Sequence, residues 1–204
     1  MERTRVFLIR HGETLWNQEQ RCQGFTDVEL SEKGLEQAQK LARYLAKNIY
    51  LSAVFSSDLR RAKQTAEIIA QKQLLTVQVD PRLRELNQGE LEGRNLMSML
   101  ANYPALLEKW MNSPKEVVMP GGESLVQLQA RAWDAFTDIV ERNQGANLVI
   151  VAHNLCNVTI LSKLLELDLN LFRRIKQYSA ALNEIEIGPH GPVILRMNDT
   201  HFLD

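Results

Sequence analysis

Hydrophobic residues in this chain form two kinds of pattern, short unbroken runs and longer stretches of helical spacing, and the two alternate along the sequence. Residues 6–9 and 148–151 are apolar at every position, which is typical of strands buried on both faces of a sheet. Strands are predicted over residues 6–9, 52–55, 76–79, 148–151, 182–187 and 193–197, the last two forming a hairpin around the glycines and prolines of 188–192.

Four stretches with apolar residues every three or four positions predict amphipathic helices between these strands. At the first three helix starts, a serine or aspartate side chain is expected to cap the helix by accepting a hydrogen bond from a free backbone N–H. The helices are expected to begin near Ser31, Ser57 or Asp58, Ser124 and His153, and a polar loop is expected over residues 17–29.

The pattern becomes irregular between residues 84 and 122, where glycines and prolines interrupt it. Two short helices are predicted there, over residues 96–100 and 105–111. Their larger side chains could pack a small core of their own, or some of them could cap a bound substrate. These side chains are Met97, Met99, Tyr103, Leu106 and Trp110.

Strands that alternate with helices and end in a hairpin predict an α/β fold. We expect a three-layer sandwich in which helices flank a mixed, mostly parallel sheet. A chain of 204 residues is long enough for one full-sized domain. The prediction is therefore a single domain over residues 1–204 with a small helical insertion at residues 95–120.

Composition narrows the function classes further. The net charge of −1 gives no general attraction to nucleic acid, and no apolar run is long enough for a membrane span. Cys22 and Cys156 are too few for a disulfide framework, so a cytoplasmic location is expected. Neither cysteine has an arginine six positions later, as a cysteine-dependent phosphatase would need, and both are expected to be small hydrophobic residues.

Side chains that can take part in catalysis or bind an anion follow successive predicted strands. Arg10 and His11 end the first apolar strand, and His153 ends the fourth. Arg61 lies in the first turn of a helix after the second strand, where free backbone N–H groups suit phosphate, and Glu85 follows the third strand. Each residue alone has an ordinary structural explanation. Their shared position at the carboxyl ends of strands, where ligand crevices form in open α/β sheets, favours one common site.

These residues belong to a series of short motifs that resembles the histidine phosphatase superfamily, also called phosphoglycerate mutase-like, over nearly the whole chain. The motifs follow the family's order, which makes coincidence implausible. They are Arg10-His11-Gly12-Glu13-Thr14 with Trp16-Asn17, Gln23-Gly24 with Asp27, Leu30-Ser31, Ser57-Asp58-Leu59 before Arg61-Ala62, Gln64-Thr65-Ala66, Leu83-Arg84-Glu85 with Gly89, Glu92-Gly93, Pro120-Gly121-Gly122-Glu123-Ser124-Leu125 and Val151-Ala152-His153.

The resemblance implies a role for each matching residue. His11 would be the nucleophile, His153 the second active-site histidine and Glu85 the proton donor, while the substrate-binding set would be Arg10, Asn17, Gln23, Gly24, Arg61 and Asn154. Asn154 departs from the glycine of many members, and its side chain could donate a hydrogen bond to phosphate or narrow the pocket. Arg60 is expected to be exposed, and the helical insertion would lie over the active site.

The proposed roles set physical requirements. Arg10 and Arg61 can bind phosphoryl oxygens with two parallel hydrogen bonds, which a lysine cannot do. His11 must attack as a neutral imidazole, so its other ring nitrogen should donate to a fixed acceptor, which we expect to be a backbone carbonyl. The arginines favour an ionised Glu85, whereas a general acid needs its proton; the negative charge of a bound phosphate would resolve this conflict.

The leading hypothesis is a phosphatase that hydrolyses small phosphomonoesters through a phosphohistidine intermediate, without a metal or other cofactor. The partner would be a small phosphorylated metabolite, such as phosphoserine, α-ribazole phosphate, a phosphoglycerate or a sugar phosphate, and the resemblance allows a homodimer. The alternative is a phosphoglycerate mutase using the same site, which would need a larger lid than residues 95–120 and a longer ordered tail than residues 199–204. A non-catalytic sensor of phosphorylated ligands is disfavoured by the intact set of site residues.

Overall fold

A six-stranded mixed sheet forms the centre of the protein. The structure is a computed structural model that describes residues 3–204. The strand order is β3-β2-β4-β1-β5-β6. Strands β3, β2, β4 and β1 pair in parallel, β5 pairs antiparallel with β1, and β6 pairs antiparallel with β5. The strands are β1 (Thr4–Arg10), β2 (Ala53–Ser56), β3 (Val77–Val79), β4 (Asn147–Ala152), β5 (Leu182–Gly188) and β6 (Gly191–Asp199). The mixed, mostly parallel sheet predicted from sequence is confirmed.

Helices cover both faces of the sheet. The helices are α1 (Leu15–Gln18), α2 (Glu32–Asn48), α3 (Arg60–Gln71), α4 (Leu96–Asn102), α5 (Pro104–Asn112), α6 (Leu125–Arg142) and α7 (Asn154–Leu164). Within residues 3–204, no helix is both long and apolar enough to cross a membrane.

Alternate residues of the central strands point into two separate cores. Phe7 and Ile9 of β1 pack with α2 and α3 on one face, whereas Val6 and Leu8 pack with α6 and α7 on the other. A strand buried on both faces must be apolar at every position, which explains the unbroken run in the sequence.

The register of β1 and β4 brings the two histidines together. The strands are parallel neighbours, with Arg10 opposite Ala152, so His11 and His153 are the next residue of each strand. The backbone N–H of His11 donates to the carbonyl of Ala152 at 3.1 Å, which continues the pairing one residue further. This pairing places both rings at the carboxyl edge of the sheet.

Two local predictions were wrong. Residues 17 and 18, expected at the start of the polar loop, instead belong to the short helix α1, because Thr14 and Asn17 make a reciprocal capping box there. Neither Ser57 nor Asp58 caps α3: Leu59 occupies the cap position without a side-chain hydrogen bond. Asp58 instead forms an ion pair with Arg84.

Candidate active site

The rings of His11 and His153 lie edge to face, with 5.2 Å between their centroids, and both residues are buried. Nδ1 of His11 lies 2.6 Å from the carbonyl oxygen of Gly12, so Nδ1 carries the proton and Nε2 carries a free lone pair. This is the fixed backbone acceptor expected from the sequence. Gly12 must be a glycine because a Cβ atom there would lie 2.5 Å from the carbonyl oxygen of Gly34.

The surroundings keep both rings neutral. Burial, followed by the positive charges of Arg61 and Arg10, lowers the pKa of His11 well below its usual value of 6.5. Burial and Arg61 are also the main causes that lower the pKa of His153 well below 6.5. Neither ring nitrogen of His153 has a hydrogen-bond partner among residues 3–204. His153 therefore offers one free donor and one free acceptor to a bound ligand.

Arg61 is a completely buried cation at the base of the site. Its two terminal nitrogens donate to the carbonyl oxygens of Thr26 at 2.9 Å and Gly24 at 2.7 Å. Burial lowers the pKa of Arg61 to about 10. In the described part of the chain, no carboxylate lies within 4.0 Å of its guanidinium, and its Nε has no partner. A buried charge in this state favours the binding of an anion.

Arg10 provides a second cation beside the histidines. One terminal nitrogen donates to the carbonyl oxygen of Gln177 at 2.7 Å, which fixes the guanidinium plane, and Nε has no partner within residues 3–204. Burial lowers the pKa of Arg10 from its usual value of 12.5, although the nearby Glu85 and Glu13 raise it. Both arginines are thus held by backbone carbonyls, which fix their orientation and leave their charge for a ligand.

The loop that holds Arg61 is itself fixed by Glu92. The Glu92 carboxylate accepts hydrogen bonds from the backbone N–H groups of Phe25 at 2.8 Å and Thr26 at 2.9 Å, and from the Thr26 hydroxyl at 2.6 Å. Gly24 has a positive φ of 50°, and a Cβ atom there would collide with the Glu92 side chain. Only glycine fits this position.

Glu85 lies at the N-terminus of α7. Its Oε1 accepts hydrogen bonds from the backbone N–H groups of Leu86 at 2.9 Å, Leu155 at 3.1 Å and Cys156 at 3.2 Å. Its Oε2 shares only the Leu155 donor, at 3.1 Å. Since Oε1 is saturated with donors, Oε2 is the oxygen that can carry a proton.

One backbone donor at the helix terminus expected to bind phosphate is engaged within the protein. The backbone N–H of Arg60, at the start of α3, donates to the Asp27 carboxylate at 2.7 Å, so this donor is already used. The start of α7 also lies at the site, where Asn154 and Leu155 line the cavity. Arg60 is exposed, as expected, and forms ion pairs with Asp27 and Glu29.

Arg131 of α6 holds the loop that carries Glu85, a role that sequence reasoning missed. Its guanidinium donates to the carbonyl oxygens of Arg82 at 2.8 Å, Arg84 at 2.7 Å and Glu85 at 2.7 Å. Arg131 also forms an ion pair with Glu123, whose carboxylate accepts the backbone N–H of Asn87 at 2.9 Å. The Gly-Gly-Glu motif therefore fixes the position of the Glu85 loop.

A small polar cavity of about 140 Å³ joins these groups. Of the nine site residues predicted from sequence, eight line it, and the ninth, His153, lies against the ring of His11. Its lining residues are Arg10, His11, Asn17, Arg21, Gln23, Gly24, Arg61, Glu85, Gln88, Asn154 and Leu155. No group of three or more metal-ligating side chains occurs in the part of the chain that the structure describes.

Three lining residues were not predicted: Arg21, Gln88 and Leu155. Arg21 stacks 4.1 Å from the ring of Trp16, and its Nε donates to the carbonyl oxygen of Gly93 at 2.8 Å. The sequence held a weak indication of Arg21, since it lies between the predicted site residues Asn17 and Gln23. Nothing in the sequence distinguished Gln88 and Leu155 from their neighbours.

Known proteins are similar to this chain in sequence and in fold. The sequence profile of the histidine phosphatase superfamily (branch 1) matches residues 6–200. A probable phosphoglycerate mutase GpmB of Escherichia fergusonii is 37% identical over 181 residues, covering 89% of this chain and 84% of that protein.

Solved structures also match over nearly their whole length. YhfR of Bacillus stearothermophilus superimposes with a TM-score of 0.93 at 30% identity, covering 98% of this chain and 100% of that one. A mycobacterial glucosyl-3-phosphoglycerate phosphatase superimposes with a TM-score of 0.86 at 28% identity, covering 95% of this chain and 98% of that one.

Proposed function

The chain belongs to the histidine phosphatase superfamily (branch 1) and is an enzyme of the phosphomonoester-hydrolysing type, and we propose that it passes the phosphoryl group of a small phosphomonoester through His11 to water. One observation carries this proposal: the buried Arg61 and the partly buried Arg10, neither paired with a carboxylate among residues 3–204, flank a neutral histidine whose Nε2 lone pair is free. Such a site suits a dianionic phosphoryl group.

In the first step, Nε2 of His11 attacks the phosphorus atom and the bond from phosphorus to the ester oxygen breaks. Arg10 and Arg61 bind the non-bridging oxygens, whose charge must be neutralised during transfer, and a neutral His153 donates one ring N–H to them. Glu85 gives its Oε2 proton to the departing oxygen, which leaves as an alcohol.

In the second step, water attacks the phosphorus atom of phospho-His11. Glu85, now a carboxylate, accepts a proton from this water, and the bond from phosphorus to Nε2 breaks. Inorganic phosphate leaves, while His11 and Glu85 return to their starting states. The electron pair of the broken bond returns to Nε2 as its lone pair, and the hydrogen bond from Nδ1 to the Gly12 carbonyl keeps the ring proton on Nδ1.

The role of Glu85 can be tested with Glu85→Gln. An amide cannot protonate the leaving oxygen, so alkyl phosphates, whose alcohols are poor leaving groups, should react about 10²–10⁴-fold more slowly in the phosphorylation step. Aryl phosphates with acidic phenols should lose much less, because their departure needs little protonation. Single-turnover quench experiments with both ester types measure this step directly. Equal losses for the two types would remove Glu85 from the role of general acid.

Phosphoglycerate mutase activity is the second candidate, because the relative from Escherichia fergusonii carries that probable name. A mutase must shield phospho-His11 from water while the substrate reorients. Leu203 does not line the catalytic cavity and lies beside α2, where Lys40 donates to its carbonyl oxygen at 2.7 Å. Gly34, at the site end of α2, is six residues away, which is about 9 Å along a helix. This favours transfer to water.

A third candidate, a sensor that binds phosphorylated ligands without reacting, requires a defect in the catalytic set. The neutral His11, the oriented Glu85 and the two arginines form a complete set, which supports an enzyme.

The proposal includes three properties of the whole protein. The chain acts as one domain with a helical insertion at residues 95–120, supported by its single sheet. The reaction needs no metal, supported by the cationic rather than anionic lining of the site, and chelation with EDTA should leave phosphate release unchanged. A cytoplasmic location is supported by the free thiols of Cys22 and Cys156, and cell fractionation would test it.

A homodimer also forms part of the proposal. Strand β6 lies at the edge of the sheet, and Val193, Leu195 and Met197 are exposed along it at alternate positions. An exposed apolar edge strand is a ready template for pairing with another chain. Sedimentation of a species with the mass of one chain at micromolar concentration would exclude the dimer.

A further inference from the structure

Phe25 does not line the catalytic cavity, but it belongs to the loop that holds Arg61. The two carbonyl oxygens that accept hydrogen bonds from the Arg61 guanidinium belong to Gly24 and Thr26, the residues on either side of Phe25. The backbone N–H of Phe25 donates to the Glu92 carboxylate at 2.8 Å. The main chain of Phe25 is therefore fixed beside Arg61, and its half-buried side chain extends from this loop.

The ring of Phe25 contacts two guanidinium groups. The central carbon of the Arg84 guanidinium lies 5.0 Å from the ring centroid, and that of Arg131 lies 5.7 Å from it. A cation within about 6 Å over an aromatic ring is attracted by the negative charge of the ring face. Arg84 also pairs with Asp58, and Arg131 pairs with Glu123, which reduces the repulsion between the two cations. The ring is thus a contact that both arginines share.

These two arginines determine the position of Glu85. Arg84 is the residue before Glu85 in the chain, and Arg131 donates to the carbonyl oxygens of Arg84 and Glu85, both at 2.7 Å. A displacement of either guanidinium would therefore move the Glu85 carboxylate. A misplacement of about 1 Å in a catalytic group can reduce a reaction rate about 10²-fold.

An ion pair provides a second connection between the same parts of the site. Nε of Arg84 donates to Oδ1 of Asp58 at 2.7 Å, and Asp58 lies three residues before Arg61 in the chain. This pair fixes the start of α3, whereas the Phe25 ring connects the loop that carries the two carbonyl acceptors of Arg61. Only the second connection depends on an aromatic ring.

We propose that Phe25 is a positioning residue that couples the phosphate-binding Arg61 to the general acid Glu85. This inference rests on the proposed function for the roles of Arg61 and Glu85. The ring keeps the two groups at a fixed separation, so that the non-bridging oxygens and the leaving oxygen of one ester are engaged at the same time. Phe25 itself touches neither the substrate nor the reacting atoms.

Phe25→Leu removes the ring but keeps an apolar side chain. The phosphorylation step should become about tenfold slower for alkyl phosphates, because a displaced Glu85 protonates the leaving oxygen poorly. Aryl phosphates need little protonation and should lose less than about threefold. Calorimetry should show inorganic phosphate binding about threefold more weakly, because the carbonyls that orient Arg61 are less well fixed. Phe25→Tyr keeps an aromatic ring and should restore all three values.

Phe202→Leu is the matched control, since it removes another half-buried phenylalanine ring. Phe202 stacks on Tyr44 of α2, with 5.1 Å between the ring centroids, and does not line the catalytic cavity. This substitution should change neither the phosphorylation rates nor the affinity for phosphate. Equal effects of Phe25→Leu and Phe202→Leu would contradict the proposal.

Trifluorophenylalanine in place of Phe25 separates coupling from simple packing. Fluorine atoms withdraw charge from the ring face and change its size little, so the attraction to Arg84 and Arg131 weakens while the contacts remain. We expect about a threefold slower phosphorylation by alkyl phosphates, as loss of a cation–π contact predicts, with an unchanged Tm. The same rates with phenylalanine and trifluorophenylalanine would show that the ring only fills space and would overturn the proposal.

The same measurements distinguish failure of this inference from failure of the proposed function. Phosphate release by the wild type, with no effect of either change at position 25, would overturn the coupling and leave the proposed function intact. A wild-type protein that releases no phosphate from any ester would contradict the proposed function. The affinity of Phe25→Leu for inorganic phosphate would then still decide whether Phe25 positions Arg61, and an affinity equal to that of the wild type would overturn that part as well.

Discussion

His11→Ala should abolish the covalent phosphoenzyme and lower kcat/KM for any phosphomonoester by about 10⁴-fold or more, as the loss of a catalytic nucleophile does. The reason is that no other side chain in the cavity offers a free lone pair at the right position with its other nitrogen fixed by a backbone carbonyl. Brief incubation with labelled substrate followed by rapid quench should trap acid-labile, base-stable phosphate on the wild type and none on the variant.

His201→Ala is the control for this experiment. His201 is exposed near the carboxyl terminus and pairs with Asp199, so its loss should leave the phosphoenzyme unchanged. His153→Ala separates the two active-site histidines, because it should slow formation of the adduct without preventing it. An adduct of normal yield on His11→Ala would show that another residue is the nucleophile.

Arg61→Lys should reduce kcat/KM by about 10²–10³-fold although it keeps the positive charge, comparable to removing one preorganised donor from an oxyanion site. The guanidinium of Arg61 donates to two carbonyl oxygens, on Thr26 and Gly24, and still has N–H groups left for phosphate. An ammonium group is a single point with three donors and cannot maintain this geometry. Steady-state kinetics and the inhibition constant of inorganic phosphate measure the loss.

Arg60→Lys is a matched control on the adjacent residue. Arg60 is exposed and pairs with Asp27 and Glu29, so a lysine there should change kcat/KM by no more than about twofold, as expected for an exposed ion pair. Thermal unfolding of both variants would detect any general loss of stability. Similar kinetics for the two variants would contradict the assignment of Arg61 as the buried phosphate ligand.

The sequence predicted the parts of the fold and site that depend on strand order. The unbroken apolar runs of β1 and β4 identified strands buried on both faces, and each run ended at a histidine. Their parallel pairing then placed His11 beside His153. The cap of α3 could not be predicted in the same way, because Asp58 pairs with Arg84, which is distant in sequence, and Asp27 from another loop accepts the Arg60 N–H.

The supporting residues were missed for a related reason. Arg131 donates hydrogen bonds to the backbone carbonyls of Arg82, Arg84 and Glu85. Every residue has a backbone carbonyl, so the sequence does not show which carbonyls accept these bonds. The burial of side chains in the helical insertion could not be predicted from the sequence either. Met97 and Met99 have the same side chain and the same helix propensity, but only the structure shows that Met97 is exposed whereas Met99 lines a cavity beneath α4 and α5.

The central claim is that phospho-His11 transfers its phosphoryl group to water, and a chase of the labelled phosphoenzyme tests it most directly. Wild-type protein is labelled briefly, separated from substrate and mixed with buffer alone or with excess 3-phosphoglycerate, and the products are resolved at successive times. We expect the label to appear as inorganic phosphate at the same rate in both cases. Rapid transfer of the label to 2,3-bisphosphoglycerate or 2-phosphoglycerate, faster than phosphate release, would contradict the claim and identify a mutase.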